Sequence, residues 1–258
     1  MSENPAMSEN SGSATFEQVA EVDPDAPTLI EGLPGHGLVA AIAVDQITSQ
    51  LGLSHYGNIY ADAFPPVVTF ENGLVHDLVR VYAGSDPAVM TLESDLALPP
   101  AAFEPLSRCV MDDLAIRFDR AVFIAGAPAS SEAQLGEVIG VATNDEIKSE
   151  LIDAGITIAE DHGIVGGVTG ALVRQCYHAD VPAALLVVHS HPFLPDPKAA
   201  RDLIETALEP LVDFDIDTSE LDEQSETIKQ QMQQVAEQYQ QMFEEPQADH
   251  PPAAGMFQ

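Results

Sequence analysis

Two uninterrupted apolar runs, Ala121-Val122-Phe123-Ile124-Ala125 and Ala183 to Val188, constrain the fold most. Each is too short for a helix of ordinary length and lacks the alternation of a half-solvated strand. Strands of this kind are covered on both faces, as in the parallel sheets of α/β proteins. Helical patterns separate the strand signals, at Ala101–Phe118, Asp145–Ala154, Val168–Tyr177 and Pro197–Leu211. Strand–helix alternation predicts an α/β fold, a mostly parallel sheet between two helical layers.

The first structured segment gives the same pattern at closer range. Thr28-Leu29-Ile30 is a short apolar strand running into Gly32-Leu33-Pro34-Gly35-His36-Gly37, followed by a largely apolar helix over Leu38–Leu51. Pro66–Phe70 and Leu74–Tyr82 flank Glu71-Asn72-Gly73, and Asn-Gly predicts a hairpin. A further strand is expected at Ala88–Leu92. No internal repeat is present.

Polar ends bound one core. Residues 1–14 are small, polar and acidic, and read as disordered. Residues 15–217 form the α/β domain. Residues 218–245 are rich in Gln and Glu, with Leu221, Ile228, Val235 and Met242 seven residues apart and Met232 and Tyr239 between them. That is a heptad seam over a few turns, equally readable as an amphipathic helix lying on its own domain. Pro246 stops it, and residues 246–258 read as a flexible tail.

Charge sets the solvent. Nine basic residues face 42 acidic ones, a net charge of −33 in 258 residues. Such self-repulsion strains a compact fold in dilute buffer, whereas at molar salt the Debye length shrinks to about 3 Å. The expectation is a salt-adapted cytoplasm. No basic stripe exists to neutralise phosphates, which argues against nucleic acid. Two cysteines, Cys109 and Cys176, form no disulfide framework, and the opening residues lack the n- and h-regions of a signal peptide. Asp45 interrupts the apolar Leu38–Val44 run far short of a membrane span.

The glycine clusters are the candidate site. Gly32, Gly35 and Gly37 open the first helix; Gly163, Gly166, Gly167 and Gly170 open another. Glycines at strand-to-helix turns permit positive φ and close backbone approach, and a helix N-terminus holds anions. The order of the first cluster is not that of a dinucleotide site, no Lys or Arg lies nearby, and Glu31 would repel phosphate. A structural role for Gly32, Gly35, Gly37, Gly163, Gly166 and Gly167 is the simpler reading. A ligand crevice where the two turns meet, joined by Asn144, Glu160 and His162, is the alternative. Cys176-x-His178 and His189-x-His191 lack zinc-site spacing, so no metal or cofactor is expected. No G-x-S-x-G elbow and no electropositive cysteine supports nucleophilic catalysis. Met256-Phe257-Gln258 ends the chain as an apolar residue, an aromatic ring and a free carboxylate, suited to insertion in a partner pocket.

With these residues in view the chain resembles archaeal single-domain members of the proteasome-assembly-chaperone family, over roughly Thr28–Glu245. The resemblance rests on Glu31-Gly32-Leu33-Pro34-Gly35-His36-Gly37-Leu38-Val39, on Ile124-Ala125-Gly126-Ala127-Pro128, on Ala142-Thr143-Asn144, on Gly163-Ile164-Val165-Gly166-Gly167 and on the Pro195–Ala200 helix start. It implies a three-layer α/β/α sandwich similar to nucleoside phosphorylases with a long C-terminal helix, and a homo-oligomer. It also implies a non-enzymatic protein that binds the 20S proteasome or its α subunits. Members of this kind end in a hydrophobic residue, tyrosine and any residue. Met256, Phe257 and Gln258 match that pattern with Phe in place of Tyr, and are the expected partner-binding residues. The alternative is a phosphorylase-like enzyme or small-molecule-binding protein using the glycine turns.

Overall fold

The computed structural model describes residues 12–191, 194–228 and 230. Among them one nine-stranded sheet forms the centre, with strand order β1-β3-β6-β7-β2-β8-β11-β9-β10. The strands are β1 (Ala14–Gln18), β2 (Thr28–Gly32), β3 (Ser54–Ala61), β6 (Val79–Ser85), β7 (Ala88–Ser94), β8 (Arg120–Pro128), β9 (Val138–Ala142), β10 (Thr157–Ile158) and β11 (Ala183–Ser190). A separate hairpin joins β4 (Thr69–Glu71) to β5 (Leu74–His76). The helices are α1 (Val39–Gln50), α2 (Phe103–Cys109), α3 (Asp145–Asp153), α4 (Gly167–His178), α5 (Pro197–Leu203) and α6 (Glu209–Val212).

The expected apolar runs occupy the middle of the sheet. Pairs β7–β2, β2–β8 and β8–β11 are parallel, as is the β9–β10 edge. Pairs β1–β3, β3–β6, β6–β7 and β11–β9 are antiparallel, so the sheet is mixed and not mostly parallel. A tight turn between Ser85 and Ala88 sets β6 against β7 in antiparallel register, and the arm read as one strand over Leu74–Tyr82 breaks at Asp77-Leu78. β5 pairs only with β4, while β6 joins the main sheet between β3 and β7. The expected helix over Ala101–Phe118 is present as α2 flanked by single 3₁₀ turns and a π turn at Val110–Leu114.

Helices cover both faces of the sheet. One core packs Val39, Val44 and Ile47 of α1, Ile147 and Leu151 of α3, and Leu203 and Leu208 against Ile30, Val122, Ile124 and Leu186. The other packs Leu106 and Val110 with Leu172 and Cys176 of α4 against Leu29, Met90, Phe123 and Leu185. Alternate residues of β2 and β8 serve opposite cores, as the two-residue period of a strand requires. Arg120, at the start of β8, ties the layers: it donates to Thr28 Oγ1 (3.0 Å) and the Leu211 carbonyl (2.7 Å) and pairs with Glu150.

The C-terminal helix is described over residues 219–228. Leu221 enters the first core at 1% exposure and Ser225 is buried, so this part lies on its own domain. Residues 1–11, residues 229 and 231–245 of the helix expected to Glu245, and the tail 246–258 with Met256, Phe257 and Gln258 lie outside the described residues. No helix among the described residues is long and apolar enough to cross a membrane.

Candidate functional site: the crevice between two glycine turns

The two glycine turns do meet, at the carboxyl end of the parallel strands. The β2–β8 ladder ends at the Ile30–Val122 pair, and beyond it the strands diverge. Into that fork goes the Glu31 side chain, at 0% exposure. Its carboxyl accepts from Ile124 N–H at 3.2 Å, taking a donor that the ladder no longer satisfies, and from Thr169 Oγ1 at 3.2 and 3.3 Å. Thr169 stands in the first turn of α4, so one carboxyl fastens both glycine turns to the sheet.

Burial dominates the electrostatics of Glu31. Removal from water pushes its pKa from 4.5 up to about 8, against the opposing hydrogen bonds from Ile124, Thr169 and Leu33. At neutral pH the side chain is mainly a neutral carboxylic acid. The expectation that Glu31 repels phosphate is therefore corrected: it is a buried structural bridge and carries little charge.

Next to this junction, lined by Ile124 and Thr169 but not by Glu31 itself, opens a crevice of about 450 Å³. Its walls are Pro34–His36, the β8 end from Ile124 to Pro128, and Ile164–Thr169, closed by Leu98 and Phe103. Two glycines set the approach distances. Gly37 has φ +64°, and a Cβ there would strike the Ser190 hydroxyl; a Cβ on Gly126 would strike the His36 carbonyl oxygen. Gly32 is hemmed in by Val44, and Gly167 opens α4 with φ +72°. Gly35, Gly163 and Gly166 face open space with no positive φ, so neither sterics nor backbone conformation demands glycine at these three. Sequence reasoning did not single out Gly126 alone, although the flanking Ile124–Pro128 run was noted; only the tertiary approach of His36 reveals its role.

The crevice is polar in two places. α4 begins at Gly166 with no side-chain cap, leaving its first N–H groups toward the crevice wall. His36 Nε2, on that wall, is buried without a hydrogen-bond partner among the described residues. No Arg or Lys lines the crevice. The arginines are engaged elsewhere: Arg80 with Asp95, Arg108 and Arg174 with Glu104, Arg117 with Tyr56, Arg120 with Glu150, and Arg201 with Asp202 and Asp222.

Asn144, Glu160 and His162 do not join this crevice. Asn144 caps α3, accepting from Ile147 N–H at 2.9 Å. Glu160 and His162 line a separate apolar groove beside α4 and the β9–β10 edge. Among the described residues no group of three His, Cys, Asp or Glu is placed to hold a metal ion. Burial pushes both thiols, Cys109 and Cys176, up to about 12, which keeps them protonated and poorly nucleophilic at neutral pH.

A mixed sheet with helices on both faces, and a glycine-lined fork sealed by a buried acid, is the frame within which relatives can be compared. The PAC2 family matches residues 29–236. The chain belongs to the PAC2 family. The match begins at β2 and so takes in both glycine turns. An uncharacterized protein of Methanocaldococcus jannaschii is 27% identical over 217 residues, spanning 84% of this chain and 88% of that protein. Among solved structures, Pyrococcus furiosus PbaA, an archaeal homolog of proteasome-assembly chaperone, superposes with a TM-score of 0.78 at 23% identity, covering 88% of this chain and 94% of PbaA. Pyrococcus furiosus PbaB, an archaeal proteasome activator, superposes with a TM-score of 0.77 at 19% identity, covering 87% and 99%. At these identities the two structures establish a shared fold.

Proposed function

We propose that this PAC2-family chain is a non-enzymatic proteasome assembly chaperone or adaptor. It acts in the cytoplasm as a homo-oligomer and binds the 20S proteasome or its α subunits, with Met256, Phe257 and Gln258 as docking residues. The observation that carries this reading is the family match over residues 29–236, joined to a fold shared along nearly its whole length with PbaA and PbaB. The site chemistry agrees with a binding protein: no arginine or lysine lines the crevice, and both thiols are held protonated by burial.

The competing small-molecule reading draws on the uncapped N-terminus of α4 and the unpartnered His36 Nε2. Against it stands the lack of any basic side chain to meet phosphate in the crevice. Co-purification separates the two. Tagged full-length chain, incubated at molar KCl with the 20S proteasome, is expected to retain it; a chain ending at Gly255 is expected to lose it. Failure of the full-length chain to retain proteasome, together with a melting shift that grows with phosphate or nucleoside concentration, would replace the adaptor reading by the enzyme or ligand-binding one.

A further inference from the structure

The helical layer on the α2/α4 face is unfinished. On the opposite face α3 reaches across β9 and β10. On this face cover stops at α4, and beyond it the sheet presents Val141, Leu185 and Val187 to a groove of about 900 Å³. The near wall is α4 itself. Although half apolar, its 12 residues bury only Leu172 and Cys176; Val173 and Tyr177 look into the groove, Tyr177 at 62% exposure. Ile164, at the rim, is 91% exposed. An apolar surface of this extent on an isolated chain marks a contact.

The rim identifies the occupant. The far wall carries Glu160 and Asp161, the α4 wall carries Arg174, and the bed between them is apolar. What fits is a short helix bearing an apolar edge with a cation beside it. α4 of a second copy has that composition: Val173 and Tyr177 for the bed, Arg174 for the carboxylates opposite. Arg174 remains 60% exposed while paired with Glu104, which leaves its guanidinium accessible. The uncharged bed is also where two chains of net charge −33 can meet without setting carboxylate against carboxylate.

We propose that this groove is the contact between copies of the chain. α4 of one copy lies in the groove of the next and completes its helical layer, and a two-fold axis makes the exchange reciprocal. The inference deepens the functional reading above, because it rests on the chain being a homo-oligomer.

Sedimentation velocity at molar KCl tests it with three exposed positions. The wild type is expected to contain more than one chain per particle. Tyr177→Glu and Ile164→Glu are each expected to raise the dissociation constant at least tenfold with an unchanged far-ultraviolet circular dichroism spectrum, since both side chains are largely exposed on the single chain and its fold does not depend on them. Phe70→Glu, on the equally exposed β4–β5 hairpin, is expected to leave particle size unchanged. A monomeric wild type overturns both the groove and the homo-oligomer. Wild-type particle size in both groove variants, or dissociation by Phe70→Glu alone, overturns the groove and leaves proteasome binding to be judged by co-purification.

Discussion

Thr169 donates its hydroxyl to the Glu31 carboxyl at 3.2 Å across 138 residues of sequence, and this contact joins the two glycine turns beside the crevice. A buried acid at such a junction makes stability pH-dependent. Its folded pKa of about 8 lies above the ordinary 4.5, so between those values the folded chain keeps a proton that the unfolded chain has released. The Glu31 contribution is therefore fully present below about pH 4.5, is lost as pH rises toward 8, and is constant above it. The slope approaches about 1.4 kcal/mol per pH unit inside the window. Glu31→Gln keeps the shape and an acceptor oxygen but never ionises. Denaturant melts at molar KCl from pH 5 to 9 should show the variant less pH-dependent than wild type and more stable at pH 9. Parallel curves would mean that Glu31 ionises without cost.

Gly126 and Gly35 both line the crevice but should respond oppositely to a methyl group. A Cβ on Gly126 collides with the His36 backbone, which cannot swing aside like a flexible side chain, whereas Gly35 has φ −139° and open space. Gly126→Ala is expected to cost about 1–3 kcal/mol, the usual penalty for overpacking. Gly35→Ala should fall within about 0.5 kcal/mol of wild type. Equal stability of the two variants in urea titrations would show that the His36 turn relaxes freely.

The central strands were legible because burial on both faces leaves an uninterrupted apolar run, as at Ala121–Ala125 and Ala183–Val188. β1, β3 and β9 were not. Ser54–Ala61 includes His55, Gly57 and Asn58, and its strand character comes from pairing with β1 and β6. The meeting of the glycine turns was anticipated from α/β topology, but its chemistry was hidden. Glu31 beside glycines looks like a surface acid, and only the fork between β2 and β8, closed by a threonine far along the chain, makes it a neutral bridge. The groove is illegible for a related reason: Tyr177, one turn from the half-buried Val173, looks like a core position of a helix, and only the want of a neighbour over β9 leaves it exposed.

Salt should act on the fold as a whole. The arginines already have structural partners, so most of the 42 acidic residues face one another without compensation. Screening at molar KCl shortens the reach of that repulsion to about 3 Å. Melting temperature is expected to rise steeply from low to molar KCl, and similarly with NaCl at equal ionic strength. A melting temperature indifferent to salt would remove the argument for a salt-adapted chain.

The last three residues make the sharpest prediction about partners. In the proposed reading Met256, Phe257 and Gln258 are the docking residues, and Pro246, Pro251 and Pro252 stand between them and the Gln- and Glu-rich segment in the sequence. In a homo-oligomer several such ends act together, and individually weak contacts gain from effective concentration. Burial of the Phe257 ring in a pocket of the α ring would contribute roughly 1.5–3 kcal/mol. In the same reading a terminal carboxylate would add a charge-assisted contact to a lysine there, weakened by salt wherever water enters. Phe257→Ala should therefore weaken 20S binding on the order of tenfold or more per engaged tail, and deletion of the three residues should abolish it. Neither change should alter the melting temperature or the particle size. Phe257→Tyr, which restores the phenol of the resembling family, should bind at least as tightly as wild type. If the truncated chain still retains proteasome in a molar-salt pull-down, docking runs through the α/β domain and the tail plays no part in it.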